Sequence, residues 1–274
     1  MPTKEVVRQH WEAETAGTRY GEGENLEAFH RSMEQWRYFL EPYIPSFADF
    51  ESYAGKRILE IGVGAGVDFS QFVRHGASAT GVDLTEAAIT HTTSRLKAVN
   101  NDKESYRLAQ ADAENLPFKN NTFDLVYSWG VLHHTPDTAT AFKEALRVLK
   151  PAGALKAMIY HTPSWTGCIL WFRHGFLAAR PWVAPRRCIY EHLESPGTKA
   201  YTVAEAEAML AKAGFTNVRI RTKLGPGDLL TIKPSQKYQG QAYRLVWALY
   251  PRWLVRRLGD RFGLYLLVTA EKPA

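Results

Sequence analysis

The feature that most constrains the fold is an apolar segment that runs straight into a glycine-rich turn. Residues Arg57–Ile61 form a strand-like segment, and glycine follows at every second position, at Gly62, Gly64 and Gly66. A helical pattern begins at Val67. This order predicts a strand, a turn and a helix, with a turn whose backbone can approach a ligand closely and a helix N-terminus that points at it.

The same alternation of strand and helix continues along the chain. The predicted elements are helices at about Val67–Arg74, Glu86–Val99, Ala139–Leu149 and Val203–Ala213, and strands at Ala79–Val82, Tyr106–Ala109, Phe123–Ser128, Ala154–Tyr160, Phe215–Lys223 and Tyr265–Ala270. Strands that alternate with helices predict a parallel sheet covered on both faces. The fold class is therefore a doubly wound α/β fold.

Two regions lie outside this alternation. Residues 1–54 carry scattered aromatic and charged side chains and a predicted amphipathic helix over Leu26–Leu40, which indicates a leader that packs onto the main domain. Residues 161–198 are rich in aromatics, prolines and arginines, which indicates an insertion after strand five. We divide the chain into a leader or lid at 1–54, a cofactor-binding core at 55–160, and a substrate lid with the completion of the sheet at 161–274, forming one structural domain overall.

Charge is distributed unevenly between the two parts of the chain. The net charge is +6, but residues 161–274 hold 17 Lys/Arg against 7 Asp/Glu, whereas residues 1–160 hold 17 against 21. A basic part favours an anionic partner such as an acidic substrate, an anionic membrane or nucleic acid, and a solvated surface is the alternative. After Pro251, arginines interleave with apolar side chains in a basic amphipathic segment that can rest weakly on a membrane or pack on the domain.

The composition also indicates the cellular compartment of the protein. We find no apolar stretch of twenty residues and no apolar core of a secretory signal, so we expect a cytoplasmic protein. Cys168 and Cys188 are too few for a disulfide framework, which favours reduced packing residues.

An acidic residue downstream of the glycine turn points to a nucleoside. Asp83 ends the second strand, 17 residues after Gly66, where its carboxylate can accept both hydroxyls of a ribose. Capping of the next helix is the alternative for Asp83, although Thr85 can cap it equally well. The dinucleotide fingerprint requires a third glycine at position 67, where Val67 stands, which disfavours an NAD-dependent oxidoreductase.

Five ordered motifs carry a family resemblance. They are Glu60-x-Gly62-x-Gly64-x-Gly66, Gly81-Val-Asp83, Asp112-Ala-x-x-Leu-Pro-Phe118, Phe123-Asp-Leu-Val126 and Arg147-Val-Leu-Lys-Pro-Ala-Gly153. Together they resemble the class I S-adenosylmethionine-dependent methyltransferases, especially the type 11 subfamily that contains ubiquinone and menaquinone C-methylases. The resemblance covers roughly residues 55–160. It implies a Rossmann-like, seven-stranded, mostly parallel sheet with an antiparallel last strand, and S-adenosylmethionine as the cofactor.

The resemblance also implies roles for individual residues. Gly62, Gly64 and Gly66 would line the methionine and ribose parts of the cofactor, and Glu60 would orient the loop or reach the amino group through water. The remaining implied contacts are Asp83 with the ribose, Asp112, Ala113 and Leu84 with the adenine, and Ser128, Trp129 and Gly130 with the methionine end. A cofactor that carries a sulfonium and an ammonium group favours a pocket supplied with carboxylates.

Three histidines are candidate catalytic residues. Methyl transfer is an in-line displacement, so alignment of the reactants carries much of the rate, and a phenol, an enol or a protonated amine also needs a base. His133 and His134 follow strand four and His161 follows strand five, at the sheet edge where ligands bind. A packing role is the alternative for each. We predict no metal, because adjacent histidines point in different directions and no further ligand set has recognisable spacing.

Substrate choice is expected to lie in the leader and the insertion. The predicted substrate-lid residues are Trp11, Tyr20, Tyr160, Trp165, Arg173 and Tyr201. An aromatic cavity with arginines at its rim suits an amphiphilic acid, and a lid that packs its own aromatics is the alternative.

We therefore expect methyl transfer to the O, N or C atom of a small anionic or amphiphilic metabolite in secondary, lipid or quinone metabolism. A nucleic-acid or protein methyltransferase and an inactive cofactor-binding regulator are the alternatives. Nucleic acid is disfavoured because Ser128-Trp-Gly-Val131 replaces the Asn/Asp-Pro-Pro-Tyr motif after strand four. The sequence does not fix an oligomeric state.

Overall fold

A computed structural model describes residues 3–99, 106–195, 197–232 and 248–274. Its strands are β1 (Arg57–Ile61), β2 (Ser78–Asp83), β3 (Tyr106–Gln110), β4 (Phe123–Trp129), β5 (Leu149–Tyr160), β6 (Thr216–Lys223) and β7 (Tyr265–Glu271). Its helices are α1 (Lys4–Ala13), α2 (Leu26–Leu40), α3 (Ile44–Ala48), α4 (Val67–Arg74), α5 (Glu86–Ala98), α6 (Thr138–Val148), α7 (Trp165–Trp171), α8 (Pro185–His192), α9 (Val203–Ala213) and α10 (Arg252–Leu258).

The strands form one seven-stranded sheet in the order β3-β2-β1-β4-β5-β7-β6. Strands β1 to β5 pair in parallel, and β7 is antiparallel to both β5 and β6. This topology confirms the predicted fold class. Because the strand order reverses direction between β1 and β4, the carboxyl ends of these two strands open a crevice of the kind in which α/β proteins bind ligands.

The sheet is buried on both faces, as expected for parallel strands. Successive residues of β1 point to opposite faces: Ile58 packs in one apolar cluster with Phe69 and Leu125, and Leu59 packs in a second cluster that includes Phe142. Both faces of the central strand are therefore fixed by core packing, so the loops at its carboxyl end have a rigid base.

Local capping signals explain several helix ends. Thr85 caps α5 by accepting a hydrogen bond from the Ala88 amide, and Thr202 caps α9 in a capping box with Glu205. Gly214 ends α9 with a φ of 104°, a conformation that glycine adopts without strain. These are the signals from which the helix bounds can be predicted.

One predicted bound is wrong by more than two residues. Strand β5 begins at Leu149 and not at Ala154, so the residues between the predicted helix and the predicted strand belong to the strand. The register between β4 and β5 shifts between Phe123 and Leu125, and Ala152 takes a φ of 59°. A bulge thus accommodates the proline and glycine that disfavour a regular strand.

The insertion after β5 contains α7, a turn of π-helix at Phe172–Phe176, and α8. The sequence from Tyr238 to Phe262 is also rich in aromatic and basic residues. Its residues 238–247 lie outside the described residues, and α10 lies in its later part. Across the described ranges, none of the helices has both the length and the apolar character required to cross a bilayer.

Candidate functional site

A deep cleft lies at the carboxyl ends of β1, β2 and β4. Its open volume, including the mouth, is about 1200 Å³. The glycine turn forms its floor, the segments after β2, β3 and β4 form its walls, and α1 lies across it. Among the predicted site residues, the lining contains Trp11, Glu60, Gly62, Gly64, Asp83, Leu84, Asp112, Ala113, Trp129 and His134.

The glycine turn has the left-handed backbone that glycine permits. Gly62 and Gly64 have φ values of 81° and 52°, and a β-carbon on Gly62 would meet the Val131 side chain at 2.1 Å. Gly66 is the N-cap of α4 and packs against Thr92, so it shapes the turn without lining the cleft. A side chain at Gly62 would therefore displace the segment that follows β4.

Asp83 is held at the edge of the glycine turn. Its Oδ2 accepts a hydrogen bond from the Gly64 amide at 3.1 Å, and its Oδ1 accepts from the Thr85 amide and hydroxyl at 3.0 and 2.8 Å. Burial raises the pKa of Asp83 even though these donors oppose it. Since Thr85 caps α5, Asp83 is not the cap of that helix.

Glu60 presents a buried carboxyl group in the same cleft. The side chain is 3% exposed, and its Oε2 has no hydrogen-bond partner within the part of the chain that the structure describes. Burial, with Asp68 and then Asp83 nearby, raises its pKa well above the usual range against the opposing charge of Arg37. An unpartnered buried carboxyl is costly, so the position favours a cationic or hydrogen-bond-donating ligand.

A buried ionic network that the sequence reading missed lies beneath Glu60. The Arg37 guanidinium contacts Asp68 and Glu41, each at 2.7 Å, and the Tyr127 hydroxyl donates to Asp68 at 2.9 Å. The Trp129 indole donates to Glu41 at 3.3 Å, so the network orients a residue that lines the cleft. Arg37 is a charged residue on the otherwise apolar side of α2, and this position was the signal in the sequence for such a network.

The acidic side chains of the lining outnumber its cationic side chains. Four carboxyl groups face two cationic side chains, namely Glu60, Asp68, Asp83 and Asp112 against Lys4 and Arg37. A low-dielectric cleft with this balance favours a cationic ligand.

Helix α1 closes the cleft over the segment that follows β3. Lys4 Nζ lies 2.5 Å from Asp112 Oδ2 and 2.8 Å from Glu114 Oε2. The Glu12 carboxylate accepts hydrogen bonds from the Glu86 and Ala87 amides at the start of α5, at 3.2 and 3.0 Å. The leader is thus attached to both sides of the cleft.

Of the three candidate histidines, His134 is the one that lines the cleft. The Trp11 ring packs edge-on against it at 5.3 Å. Its Nδ1 lies 2.8 Å from Ser195 Oγ and 3.1 Å from Thr198 Oγ1, and its Nε2 lies 3.3 Å from Glu194 Oε2. Glu194, from the turn after α8, was not anticipated from the sequence, because nothing local links it to His134.

The other two histidines lie outside the lining of the cleft. His133 is fully buried, its ring lies 4.0 Å from that of Tyr160, and burial lowers its pKa well below the usual range. Both of its ring nitrogens lack a hydrogen-bond partner among the described residues. The Nδ1 of His161 lies 2.8 Å from the Gly263 carbonyl, and burial lowers its pKa as well.

The expectation that adjacent histidines point apart is wrong. The His133 and His134 rings are 4.2 Å apart, and one nitrogen from each lies with a Glu194 oxygen in a group of atoms all within 4.8 Å of one another. The Leu132–His134 turn is a single 3-10 turn, which brings neighbouring side chains close together. The absence of a metal stays a prediction.

The remaining predicted site residues lie behind or beside the cleft. The Ser128 hydroxyl donates to the Ile61 carbonyl at 3.0 Å beneath the floor. The Tyr160 hydroxyl donates to Glu194 at 2.9 Å, and the Tyr201 amide donates to the Tyr160 carbonyl at 2.8 Å. The other predicted lid residues pack elsewhere: Tyr20 against Trp36, Trp165 against Phe262, and Arg173 in the π-helical turn.

Comparison with known proteins finds similarity over the same region. Residues 59–157 match the family described as a methyltransferase domain. The chain is 28% identical over 179 residues to a demethylmenaquinone methyltransferase of Staphylococcus saprophyticus, covering 63% of this chain and 75% of that protein. It is 38% identical over 104 residues to a phthiotriol/phenolphthiotriol dimycocerosates methyltransferase of Mycobacterium leprae, covering 37% of each.

Solved structures show the same fold. The crystal structure of an S-adenosylmethionine-dependent methyltransferase from Mesorhizobium loti superposes with a TM-score of 0.55 at 20% sequence identity. The superposition covers 84% of this chain and 97% of the other.

Proposed function

The chain belongs to the class I S-adenosylmethionine-dependent methyltransferases, and we propose that it methylates an oxygen, nitrogen or carbon atom of a small amphiphilic acceptor. The observation that carries this proposal is the pairing of Glu60 and Asp83 at one glycine turn. A buried, unpartnered carboxyl suits the cationic methionine end of the cofactor, and a second carboxyl at the strand end suits the ribose.

With the methionine end at Glu60 and the ribose at Asp83, roles can be proposed for the other residues around the cofactor. The bound cofactor supplies an electrophilic methyl group on a sulfonium centre. Asp83 already accepts three hydrogen bonds, but two carboxylate oxygens have about four acceptor sites, which leaves capacity for a ribose hydroxyl. The other proposed contacts are Gly62 and Gly64 around the methionine and ribose, with Gly66 shaping the turn behind them. Asp112, Ala113 and Leu84 would surround the adenine, and Trp129 would lie near the methionine end.

We take the acceptor to be largely apolar. Apolar side chains such as Val7, Val63 and Val131 line the cleft beside Trp11. The relatives are named for a quinone precursor and for a lipid, both of which are lipophilic acceptors. A polar group on the acceptor would approach His134, so an amphiphile fits the cleft better than a fully polar metabolite. Of the three histidines proposed as bases, His134 is the one that lines the cleft.

The basic charge of the C-terminal part and its exposed apolar side chains support weak contact with an anionic membrane. Exposed apolar side chains concentrate in two segments, Phe172–Trp182 and Leu249–Phe262. The Trp165 ring, in the helix just before the first segment, packs 6.3 Å from the Phe262 ring of the second. Arginines interleave with the apolar residues in both segments. We refer to these two segments as the aromatic-arginine surface. It would place the protein where an amphiphilic acceptor is dissolved.

Calorimetry with S-adenosylmethionine, S-adenosylhomocysteine and NAD tests the proposal. We expect S-adenosylmethionine and S-adenosylhomocysteine to bind. Glu60→Gln should weaken the binding of S-adenosylmethionine at least about tenfold, because a charge-assisted contact is lost. Glu207→Gln on the exposed side of α9 is the matched control and should bind normally. Binding of NAD alone would overturn the proposal. Mass spectrometry of a lipid extract incubated with methyl-labelled cofactor then identifies the acceptor.

A further inference from the structure

Two adjacent histidines beside the cleft carry buried ring nitrogens that have no hydrogen-bond partner among the described residues. These nitrogens are both those of His133, which is fully buried, and Nε2 of His134. Buried polar atoms are nearly always paired, so each exception needs an explanation. A hydrogen bond between His134 and Glu194 would account for one of these nitrogens and would leave both nitrogens of His133 unexplained.

A carboxylate completes this group. One nitrogen of each histidine and one oxygen of Glu194 all lie within 4.8 Å of one another, and His134 Nε2 is 3.3 Å from Glu194 Oε2. A tetrahedral Zn²⁺ with ligand bonds of about 2.0–2.1 Å holds its ligand atoms about 3.4 Å apart. Closing the group around one ion therefore shortens each separation by at most about 1.4 Å.

The surrounding hydrogen bonds suit a set of metal ligands. The hydroxyl oxygens of Ser195 and Thr198 lie 2.8 and 3.1 Å from His134 Nδ1. Either oxygen can accept the proton that Nδ1 carries when a metal occupies Nε2. The Tyr160 hydroxyl donates to Glu194 Oε2 at 2.9 Å and orients the carboxylate. Hydrogen bonds of this kind orient the ligands of protein metal sites.

The charge states of the ligands also suit a metal. Burial lowers the pKa of His133 well below its usual range, so its imidazole is neutral. Burial alone would raise the pKa of Glu194, but contact with His134 outweighs it and holds the pKa below the usual range. A metal binds neutral imidazole and ionised carboxylate, so these two ligands have no proton to release.

The folded chain removes both reasons for expecting no metal. The first reason is that adjacent histidines point apart, whereas the Leu132–His134 turn brings the two rings to 4.2 Å. The second is the lack of a recognisable ligand spacing, and Glu194 lies 60 residues beyond His134, where spacing along the chain carries no signal.

We propose that His133, His134 and Glu194 form a binding site for a divalent transition-metal ion such as Zn²⁺. Two imidazoles and one carboxylate suit zinc and its first-row neighbours, whereas Mg²⁺ and Ca²⁺ prefer oxygen ligands. The Glu194 side chain is 38% exposed and does not line the cleft, so it gives the ion a route from solvent that bypasses the cofactor cleft.

A metal at this site ties the insertion to the wall of the cleft. Glu194 follows α8, and the two histidines precede Thr135 and Pro136, which line the cleft. With a metal on Nε2 and a proton on Nδ1, His134 has no lone pair left to accept a proton, so its ring serves as a wall of the cleft. The role of the metal is therefore structural and does not depend on the proposed methyl transfer.

Zinc titration of untagged, chelator-treated protein tests the site. We expect calorimetry to show about one Zn²⁺ per chain, and the melting temperature to rise with Zn²⁺, because an ion bound only by the folded protein stabilises it. Excess Mg²⁺ should not displace the zinc, because imidazole is a poor ligand for it. Absence of zinc binding, or displacement of zinc by Mg²⁺, would refute the proposal.

One variant and its control locate the ion. Glu194→Gln removes the charged ligand at an exposed position, and it should weaken zinc binding at least about tenfold, since loss of an outer-shell partner alone costs about that much. Glu191→Gln, at a carboxylate that pairs with Arg187, is the control and should bind zinc as the wild type does. Equal zinc affinity in Glu194→Gln and in the wild type would overturn the site.

Nitrogen-detected NMR of the histidine rings tests the other two ligands without a substitution in the core. Zinc should shift the ring-nitrogen signals of His133 and His134 and should leave that of His75, which faces Glu51 at the surface, unchanged. Signals of His133 and His134 that do not move on addition of zinc would contradict the proposal, whatever the measured stoichiometry.

Discussion

Lys4 on α1 and Asp112 after β3 form an ion pair across the cleft, with Nζ 2.5 Å from Oδ2. The contact is long-range in sequence, and it places a cation on the carboxylate proposed to accept the adenine amine. Both side chains are partly exposed, so a contact of this kind contributes at most about 1 kcal/mol. The cofactor must therefore replace Lys4 or share Asp112 with it.

Removal of Lys4 should strengthen cofactor binding. In Lys4→Met the carboxylate of Asp112 loses its competing partner, so the affinity for S-adenosylmethionine should rise by up to about fivefold. Calorimetry measures the change. Arg8→Met, on the same helix and paired with Glu5, is the control and should bind as the wild type does. Weaker binding in Lys4→Met would instead mean that Lys4 itself supports the ligand.

The attachment of α1 to α5 gives a second prediction. Glu12 caps the first amides of α5, and loss of such a cap costs roughly 1 kcal/mol. Glu12→Ala should therefore increase the rate of hydrogen exchange or proteolysis in α1 about fivefold without unfolding the sheet. The exposed neighbour Glu14→Ala is the control. Unchanged protection of α1 would show that the helix is held by its apolar contacts alone.

Asp83 gives a direct test of the ribose contact. Asp83→Ala should weaken the binding of S-adenosylmethionine at least about tenfold, because a hydrogen bond to a charged group contributes about 1.5–3 kcal/mol. Since Asp83 also fixes the Gly64 and Thr85 amides, the melting temperature must be followed alongside calorimetry. Normal affinity in a folded variant would remove Asp83 from the cofactor site.

Local signals explain why so much of the core could be predicted. The bounds of β1 and α4 follow from an apolar run, a glycine turn and a helical pattern that are contiguous in the chain. The end of α9 follows from a capping residue and a C-terminal glycine. Each of these elements is specified within about ten residues, which is the range over which sequence patterns are informative.

The acceptor side could not be predicted in the same way. Glu194 meets His134 across 60 residues of chain, and Arg37 reaches Asp68 from a different helix. Such contacts depend on how the leader and the insertion pack on the sheet, which no periodicity encodes. Tyr160 illustrates the limit: its type suggested a lid residue, whereas the structure places it behind the cleft as a partner of Glu194.

The raised pKa of Glu60 predicts that cofactor binding releases a proton. Below that pKa, the free protein holds Glu60 largely protonated, and a cationic ligand favours the carboxylate, so binding must expel the proton. Affinity should therefore rise with pH until Glu60 ionises in the free protein, and then level off. Calorimetry in buffers of different ionisation enthalpy counts the protons released.

Two variants decide whether Glu60 is the source of that proton. Glu60→Gln has no proton to lose, so its binding should be nearly independent of pH over the same range. Glu207→Gln, at an exposed position on α9, should keep the wild-type profile. A pH dependence that persists in Glu60→Gln would assign the proton to another group.

The aromatic-arginine surface should bind anionic lipid. Trp182 and Trp253 are 77% and 69% exposed, and their segments contribute several arginines. Their indoles should insert at the headgroup level, so the protein should sediment with phosphatidylglycerol vesicles and not with phosphatidylcholine vesicles, and salt should weaken the binding. Trp182→Ala and Trp253→Ala should each reduce the bound fraction about fivefold, in line with loss of one buried aromatic contact.

A control for the aromatic-arginine surface lies in the N-terminal part of the chain. Phe39 on α2 is 72% exposed but lies outside the two segments, so Phe39→Ala removes a comparable apolar side chain and should leave vesicle binding unchanged. If Phe39→Ala reduced binding as much as Trp253→Ala, general stickiness and not a defined surface would account for it. Equal binding to both kinds of vesicle would contradict the role of the arginines, because charge attraction distinguishes the two lipids.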